Sequence, residues 1–396
     1  MAKRLSIPSQ HVGLRLIGPA DTYFASRIQR VGLNTDIPAT DIDELGNPNK
    51  VGIVRDTPNV TVTFSAYDVG IKLWAALTGN SSSSYPALGV ALGSLDEADV
   101  AIYIRDEDVA DYAKTIHGRR LQVRDFSFNY SVDGEATEDY TLIGSEKRLL
   151  KFDVVADRYV TGTTSFTLTQ TPLQLKNGNY LLSVILDGEY LEEVTGTPAT
   201  GQYSVSGTTL TTYDSRSAQL IAVYHANPTG TNWTDISDDS LPVAIRGRDN
   251  IIKISANQID RVQSVTINGS LNVQPVKEMG NRAIVGYQKQ VPSVEGTITV
   301  LDTDTELVDL LATGSINSGE YEFQLGEGCT GSGLNLVVEI LDPCDTTSPY
   351  TVLKTVVVAG LTVVGDSFTS NVNNNATQTF NWRSESGLLT VYSGAV

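Results

Sequence analysis

The chain repeats itself, and that repetition constrains its fold more than any other feature. Residues 27–77 laid over 261–311, an offset of 234, give 15 identities in 51 positions without a gap. They include Arg27/Arg261, Gln29/Gln263, Asn34/Asn268, Glu44/Glu278, Pro58/Pro292, Asp68/Asp302 and Leu77/Leu311. Conservative pairs such as Leu33/Ile267, Leu45/Met279 and Phe64/Ile298 fill positions between them. Further along the offset becomes 240, which sets Lys114-Thr115 over Lys354-Thr355, Phe128 over Phe368 and Leu149 over Leu389. Order and spacing agree throughout, so one fold is expected twice. The expected organisation is a first copy over 1–156, an unmatched segment over 157–236 and a second copy over 237–396.

The residue pattern makes that fold mainly β. Val60–Ala66, Phe126–Val132 and Gly296–Val300 alternate apolar and polar, the period of a half-buried strand. Asp133-Gly134, Asn177-Gly178 and Asp187-Gly188 are turn signals between such runs. Two helices are expected. Asp68–Gly79 opens on a capping-type Asp, and Thr303–Glu306 forms a capping box ahead of Leu307–Gly314. The unmatched segment reads as short strands at Ser165–Thr169, Tyr180–Leu186, Gln202–Val205 and Gln219–Tyr224. That spacing fits a small Ig-like β-sandwich, with Asn227–Ser240 as an exit linker.

Several functions are disfavoured by the same residues. With 46 acidic against 28 basic residues the net charge is −18, unsuited to gripping nucleic acid through its phosphates. Met1–Pro8 has a charged opening and no apolar run behind it, so no signal peptide is expected. Leu353–Val364 is too short and too polar to span a bilayer. The candidate carboxylate pairs are Asp41/Asp43/Glu44 and Asp106–Asp108. Asp41 and Asp43 become Pro275 and Lys277 in the second copy, so the shared design does not need those acids, and solvated loop charge is the better reading. No calcium loop, Walker A loop, nucleophile elbow or HExxH motif is complete. Gly326–Gly333 reads as a hairpin tip rather than a phosphate cradle. His11, His117 and His225 have no recurring partner, and Arg119-Arg120 and Arg246/Arg248 are expected to pair locally with Asp125 and Asp249. The expectation is therefore no enzyme, no metal and no cofactor. Two cysteines, Cys329 and Cys344, leave one disulfide open, since both lie in turn-like segments near the ends of a strand-like run.

The repeated pattern is a strand (Val262–Ile267), a long loop ending Glu278-Met279-Gly280, then Val285-Gly286. A Pro-led strand and a helix ending in Leu-Leu-x-x-Gly follow, and later a strand of the form Ser-Phe-x-x-x-Val followed by Ala-Thr. This resembles the major tail tube proteins of long-tailed bacteriophages, and it does so twice in the same order. The resemblance implies two tandem tail-tube-type β-sandwich or split-barrel domains, each with a short helix, plus the inserted sandwich as an outward decoration. It implies a structural virion protein, assembled in the host cytoplasm, whose rings stack into the conduit for DNA ejection. Duplication implies homotrimeric, pseudo-hexameric rings. Implied partners are further copies of the chain, the tape measure protein and transiting DNA in the lumen. Sheath, terminator and baseplate proteins are further partners, and no membrane is involved. The loops Thr35–Lys50 and Gly269–Ile284 would reach the neighbouring ring through Glu44, Leu45, Gly46, Glu278, Met279 and Gly280. Strand alternation puts Thr61, Thr63 and Ser65, with Glu295, Thr297 and Thr299, on a polar face that would line the lumen. The alternatives are a tail terminator or distal ring protein, and a surface carbohydrate-binding adhesin.

Overall fold

The computed structural model describes residues 10–18, 22–45, 49–78, 89–106, 112–151, 153–160, 162–214, 219–226, 244–280, 284–301, 305–314, 322, 333–345, 348–370, 372 and 375–396. The chain is mainly β, with several sheets. The first copy carries β1 (Gln10–Ile17), β2 (Thr22–Ala25), β3 (Ile28–Asp36), β4 (Ala39–Ile42), β5 (Gly52–Arg55) and β6 (Asn59–Tyr67). Helix α1 (Lys72–Ala76) follows, then β7 (Gly89–Ala91), β8 (Glu97–Asp106), the long β9 (Tyr112–Ser131), β10 (Thr137–Gly144) and β11 (Glu146–Leu150). The middle segment carries β12 (Asp153–Tyr159), β13 (Ser165–Thr167), β14 (Leu181–Leu186), β15 (Glu189–Tyr190), β16 (Glu192–Glu193), β17 (Gln202–Ser206), β18 (Thr209–Thr212) and β19 (Leu220–Ala226). The second copy carries β20 (Asn250–Ile254), β21 (Asn257–Gln258), β22 (Val262–Ser270), β23 (Gln274–Val276), β24 (Gly286–Gln288) and β25 (Ser293–Leu301). Helix α2 (Glu306–Thr313) is followed by β26 (Leu336–Leu341), β27 (Val352–Val358), β28 (Leu361–Thr369), β29 (Thr377–Ser384) and β30 (Leu389–Ser393).

The repeat extends to details of the backbone. Arg27 and Arg261, equivalent at offset 234, both adopt a left-handed backbone, with φ of 61° and 59°. Their carbonyls accept from the equivalent amides of Tyr67 and Leu301, at 3.2 and 3.1 Å. Gln29 and Gln263 each donate a side-chain N–H to the same carbonyl. Val51 N–H to Ile42 O is matched by Val285 N–H to Val276 O, at 2.9 and 3.0 Å. Each copy thus builds an inner sheet, a hairpin arm and an outer sheet from equivalent strands.

The inner strands of both copies join. The order is β3-β6-β10-β9 from the first copy, then β22-β25-β29-β28 from the second, all antiparallel. The seam is β9 to β22, with Phe128 opposite Ile267 and Tyr130 opposite Val265. One outer layer is β2-β1-β8 with the first half of β9 and β11, and the other is β21-β20-β26-β27-β30. Strand β7 of the first copy completes the latter by pairing with β30, a second join between copies. Between the layers lies one continuous core holding Phe64, Trp74, Phe128, Ile267, Phe380 and Trp382.

A buried charge cluster crosses this core. Lys354 Nζ, fully buried, lies 2.6 Å from Asp68 Oδ1 and 3.5 Å from Glu138 Oε2. It also sits 4.5 Å above the Phe128 ring. Tyr130 donates to Asp68 and Tyr140 donates to Glu138, each at 2.8 Å. Burial alone would lower the Lys354 pKa, but the charges of Asp68 and Glu138 raise it. Asp68 is therefore not the cap expected for α1. Its carboxylate is committed to Lys354 and Tyr130, and the helix starts later, after Ile71. In α2 the cap is Thr305, with no side-chain cap bond, so Glu306 does not close the expected box. Gly314 ends α2 with φ 81°, as the sequence indicates. Thr303 and Gly79 lie outside the described residues.

The middle segment forms two four-stranded sheets, β12-β19-β14-β15 and β13-β18-β17-β16, around a core that includes Phe166, Leu186, Leu210 and Tyr224. Strand β12 runs across the expected junction at 156/157, so these sheets begin at Asp153. At the tip of β14–β15, Asp187 and Gly188 both have positive φ (52° and 85°), the hairpin conformation that this pair favours. The outer faces of β14 and β19 are also apolar. Leu182, Ile185, Ile221 and Val223 pack against Ile17, Ala101 and Tyr103 on β1 and β8.

Two predictions follow from the charge cluster. Lys354→Ala leaves two buried carboxylates uncompensated and is expected to cost about 3–5 kcal/mol in urea denaturation. Burial pushes the Glu138 pKa up to about 7, with Lys354 opposing the rise and Asp68 adding to it. The folded state then holds a proton that the unfolded state releases above its value of 4.5. Stability from Glu138 should therefore fall as pH rises from about 4.5 to about 7. Glu138→Gln should flatten that part of the stability–pH curve, and an unchanged slope would exclude Glu138 as its source.

Candidate assembly and channel surface

Hydrogen-bonded neighbours in a sheet share a face, so the register assigns the surface of the eight inner strands. Val60, Val62, Phe64, Val294, Ile298 and Val300 are buried toward the core. Thr61, Thr63 and Ser65 alternate with them on the opposite face, and so do Glu295, Thr297 and Thr299. Pairing extends this second face across both copies: Thr63 is opposite Thr141, Asn268 opposite Glu295, and Thr299 opposite Thr379. Hydroxyl and amide groups hold it together. Thr266 bonds Thr297 at 2.9 Å, Thr299 bonds Thr379 at 3.0 Å, and Ser127 donates to Asn268 at 2.8 Å across the seam. Its charged members include Asp125, Asp139 and Glu295. These border a depression of about 330 Å³ at the seam, and Glu295 is paired with Arg383 at 3.2 Å. The surface is small and hydroxylated, and beside its three acids it carries two cations, Arg30 opposite Ser65 and Arg383 opposite Glu295.

The two ends of this sheet are open edges with unlike partners. Strand β3 has the same place in the first copy that β22 has in the second, and β28 corresponds to the second half of β9. In the seam, β9 and β22 cover one another. At the ends, β28 and β3 pair on one side only among the described residues. Equivalent residues record the difference in burial. Phe128 is 0% exposed and Phe368 58%, and Leu389 is 1% exposed and Leu149 62%. Val265 and Ile267 are fully buried, while Val31 and Leu33 are half-buried. Lys354 is buried and Lys114 exposed. What each copy buries against the other, it exposes at the free end.

The hairpin arms β4–β5 and β23–β24 project from the same edge of each copy. Their tips present Leu45 and Met279, equivalent residues that are both fully exposed. Glu44 and Glu278 are exposed beside them, and Gly280 turns with φ 87°. Gly46 lies outside the described residues. The base of the second arm is held within the chain. It lies across the first copy of its own chain: Ile284 N–H donates to Ser145 Oγ (3.0 Å), and the Tyr287 hydroxyl donates to Arg120 O (2.9 Å). Arg120 donates from Nη2 to Val285 O (3.2 Å), and Lys277 meets Asp56 at 3.4 Å.

The remaining candidates separate. Asp41 pairs with Lys50 on an exposed hairpin. Among the described residues no group of three His, Cys, Asp or Glu side chains has metal-binding geometry. Cys344 is a free, exposed thiol rather than half of a bridge, and Cys329 lies outside the described residues. Arg248 does meet Asp249, at 3.4 Å, but Arg119 pairs with Glu146 and Arg120 with Glu97, not with Asp125. Asp125 is taken by Arg124. His117 is buried, 3.0 Å from Asp99, which also accepts the Arg120 amide and the Tyr190 hydroxyl. Burial would raise the Asp99 pKa, but the His117 hydrogen bond and charge hold it below the usual carboxylate value. This network joins the middle segment to the first copy. No protein-family profile matches the chain, and a search of curated proteins finds no relative.

Sequence reasoning missed the Lys354–Asp68–Glu138 cluster and the unequal edges. The signal was present: Lys114/Lys354 and Asp68/Asp302 are repeated charges amid apolar strands. The edges yield a direct comparison. Phe128→Ala should cost about 3–5 kcal/mol in the isolated chain, and Phe368→Ala, at the same repeat position, under about 1 kcal/mol. Equal losses in urea denaturation would mean that Phe368 is already covered.

Proposed function

We propose that the chain is the major tube subunit of a phage tail or a similar injection device. It closes head-to-tail into rings, and the rings stack into a hollow conduit for DNA. The observation that carries this is the pair of unlike sheet edges. β28 and β3 are the repeat equivalents of strands that already pair at the seam, so a second copy can continue the sheet by the same join. Such a heterologous contact, repeated, generates a ring when the rotation closes, and closure removes both open edges.

Strand geometry supports three chains per ring. At about 4.8 Å between strands and a tilt near 40°, three chains of eight strands give a backbone diameter of roughly 48 Å. Two chains give roughly 32 Å, which side chains on both walls reduce to a narrow bore. The polar face then lines the lumen. Its hydroxyls carry water, its acids repel phosphate, and Arg383 is held by Glu295, so DNA meets more repulsion than salt linkage there. The middle segment sits on the outer sheet, away from that face, where it decorates the exterior. Leu45 and Met279, apolar and fully exposed at the arm tips, suit contact with the next ring. They favour a stacking subunit over a terminator that forms a single ring.

Electron microscopy of the purified chain should reveal stacked rings about 40 Å apart, a spacing that follows from domain dimensions. A monomer that never polymerises would sink this reading. Within assembled particles, Glu295→Lys should leave rings intact but impair DNA delivery. Normal delivery would mean that the face does not line the channel.

A further inference from the structure

The two arms are one element in two surroundings. The base of β23–β24 is covered by the first copy: Ile284 is buried, and Val285 and Tyr287 are half-buried. In the equivalent arm β4–β5, Lys50, Val51 and Ile53 are exposed, the latter two by 53% and 61%. Ile37, Ile42 and Val54 are exposed with them, so the arm presents apolar side chains to solvent on both faces, Val51 and Ile53 on one and Ile42 and Val54 on the other.

The repeat offset identifies what would cover it. The second arm touches Ser145 and Arg120. Their equivalents in the second copy are Glu385 and Gly360. The backbone there has the same shape, since Arg120 and Gly360 both have positive φ (50° and 68°). Glu385 follows this geometry, its amide donating to Gly360 O at 2.8 Å. The carboxylate of Glu385 accepts from Thr362 Oγ1 and lies at the surface. Lys50 occupies the place of Ile284 and Glu385 that of Ser145, so the amide-to-hydroxyl contact becomes amide-to-carboxylate, and the Lys50 ammonium, paired with Asp41 on its own hairpin, brings a charge opposite to that of Glu385. Ile53 replaces Tyr287, and Gly360 offers no guanidinium where Arg120 does, so polar contact there becomes apolar packing.

We infer that arm β4–β5 seats on the second copy of a neighbouring chain, around Gly360 and Glu385, with Lys50 facing Glu385. The inference rests on the ring reading above and adds a lateral strap to each seam between chains. The base of the arm then holds neighbours side by side, and only its tip is left for the next ring.

The test uses the full chain with Cys329→Ser and Cys344→Ser. Lys50→Cys together with Glu385→Cys should, on oxidation, give covalent multimers up to the ring size in non-reducing electrophoresis. Ser145→Cys with Ile284→Cys serves as the reference, because it should close within one chain and keep monomer mobility. Rings seen by microscopy without the intermolecular bond would overturn the strap and leave the ring. No ring from the unsubstituted chain would overturn both. In a second measurement, Lys50→Glu should raise the concentration for half-assembly about fivefold, and adding Glu385→Lys should restore it to within about twofold. Two reversals that worsen assembly additively would exclude the Lys50–Glu385 contact.

Discussion

Strand β9 joining β22 is the contact on which the rest of the architecture depends. It turns two copies of a small fold into one sheet with one polar and one apolar face. Because the copies follow each other head to tail, the join consumes one edge of each and leaves the complementary two exposed. A duplicated protein with this connectivity keeps two complementary open edges, β3 and β28, among its described residues. The free edges of such a sheet are unsatisfied in hydrogen bonding and carry apolar side chains such as Phe368. Self-association by the same join removes both liabilities together.

The buried Lys354 cluster marks the seam in another way. Desolvating three ionisable groups is expensive, and an apolar substitute could pack as stably. The cluster does span the copies: Lys354 comes from the second, and Asp68 and Glu138 come from the first. The two copies are unequal here. Glu138 is replaced by Gln378 at the equivalent position of the second copy, and Gln378 bonds Asp366 instead. A seam between chains would therefore carry fewer buried charges than the seam within one. Fewer charges would then have to be desolvated when two chains meet.

Much of the fold was legible in the residues. Alternation at Val60–Ala66 and Gly296–Val300 fixes which side chains go inward, because period 2 follows from strand geometry alone. The repeat was legible because equivalent backbones need equivalent residues at constrained points such as Arg27 and Arg261. The assignments that failed were local readings of charged residues. Asp68 reads as a helix cap when only its neighbours are considered, and Arg120 reads as a partner for Asp125. Burial and strand pairing bring Lys354 to the first and Glu97 to the second, from 286 and 23 residues away.

The sequence by itself determined the strand content, the duplication and the polar and apolar faces, because these depend on short-range periodicity and on similarity between copies. Only the tertiary structure decided which edge meets which, where the middle segment docks, and that the second arm lies across the first copy. Those are long-range pairings. Many strand edges are chemically alike along the chain, and the choice among them is made by how the whole set of faces can be buried at once.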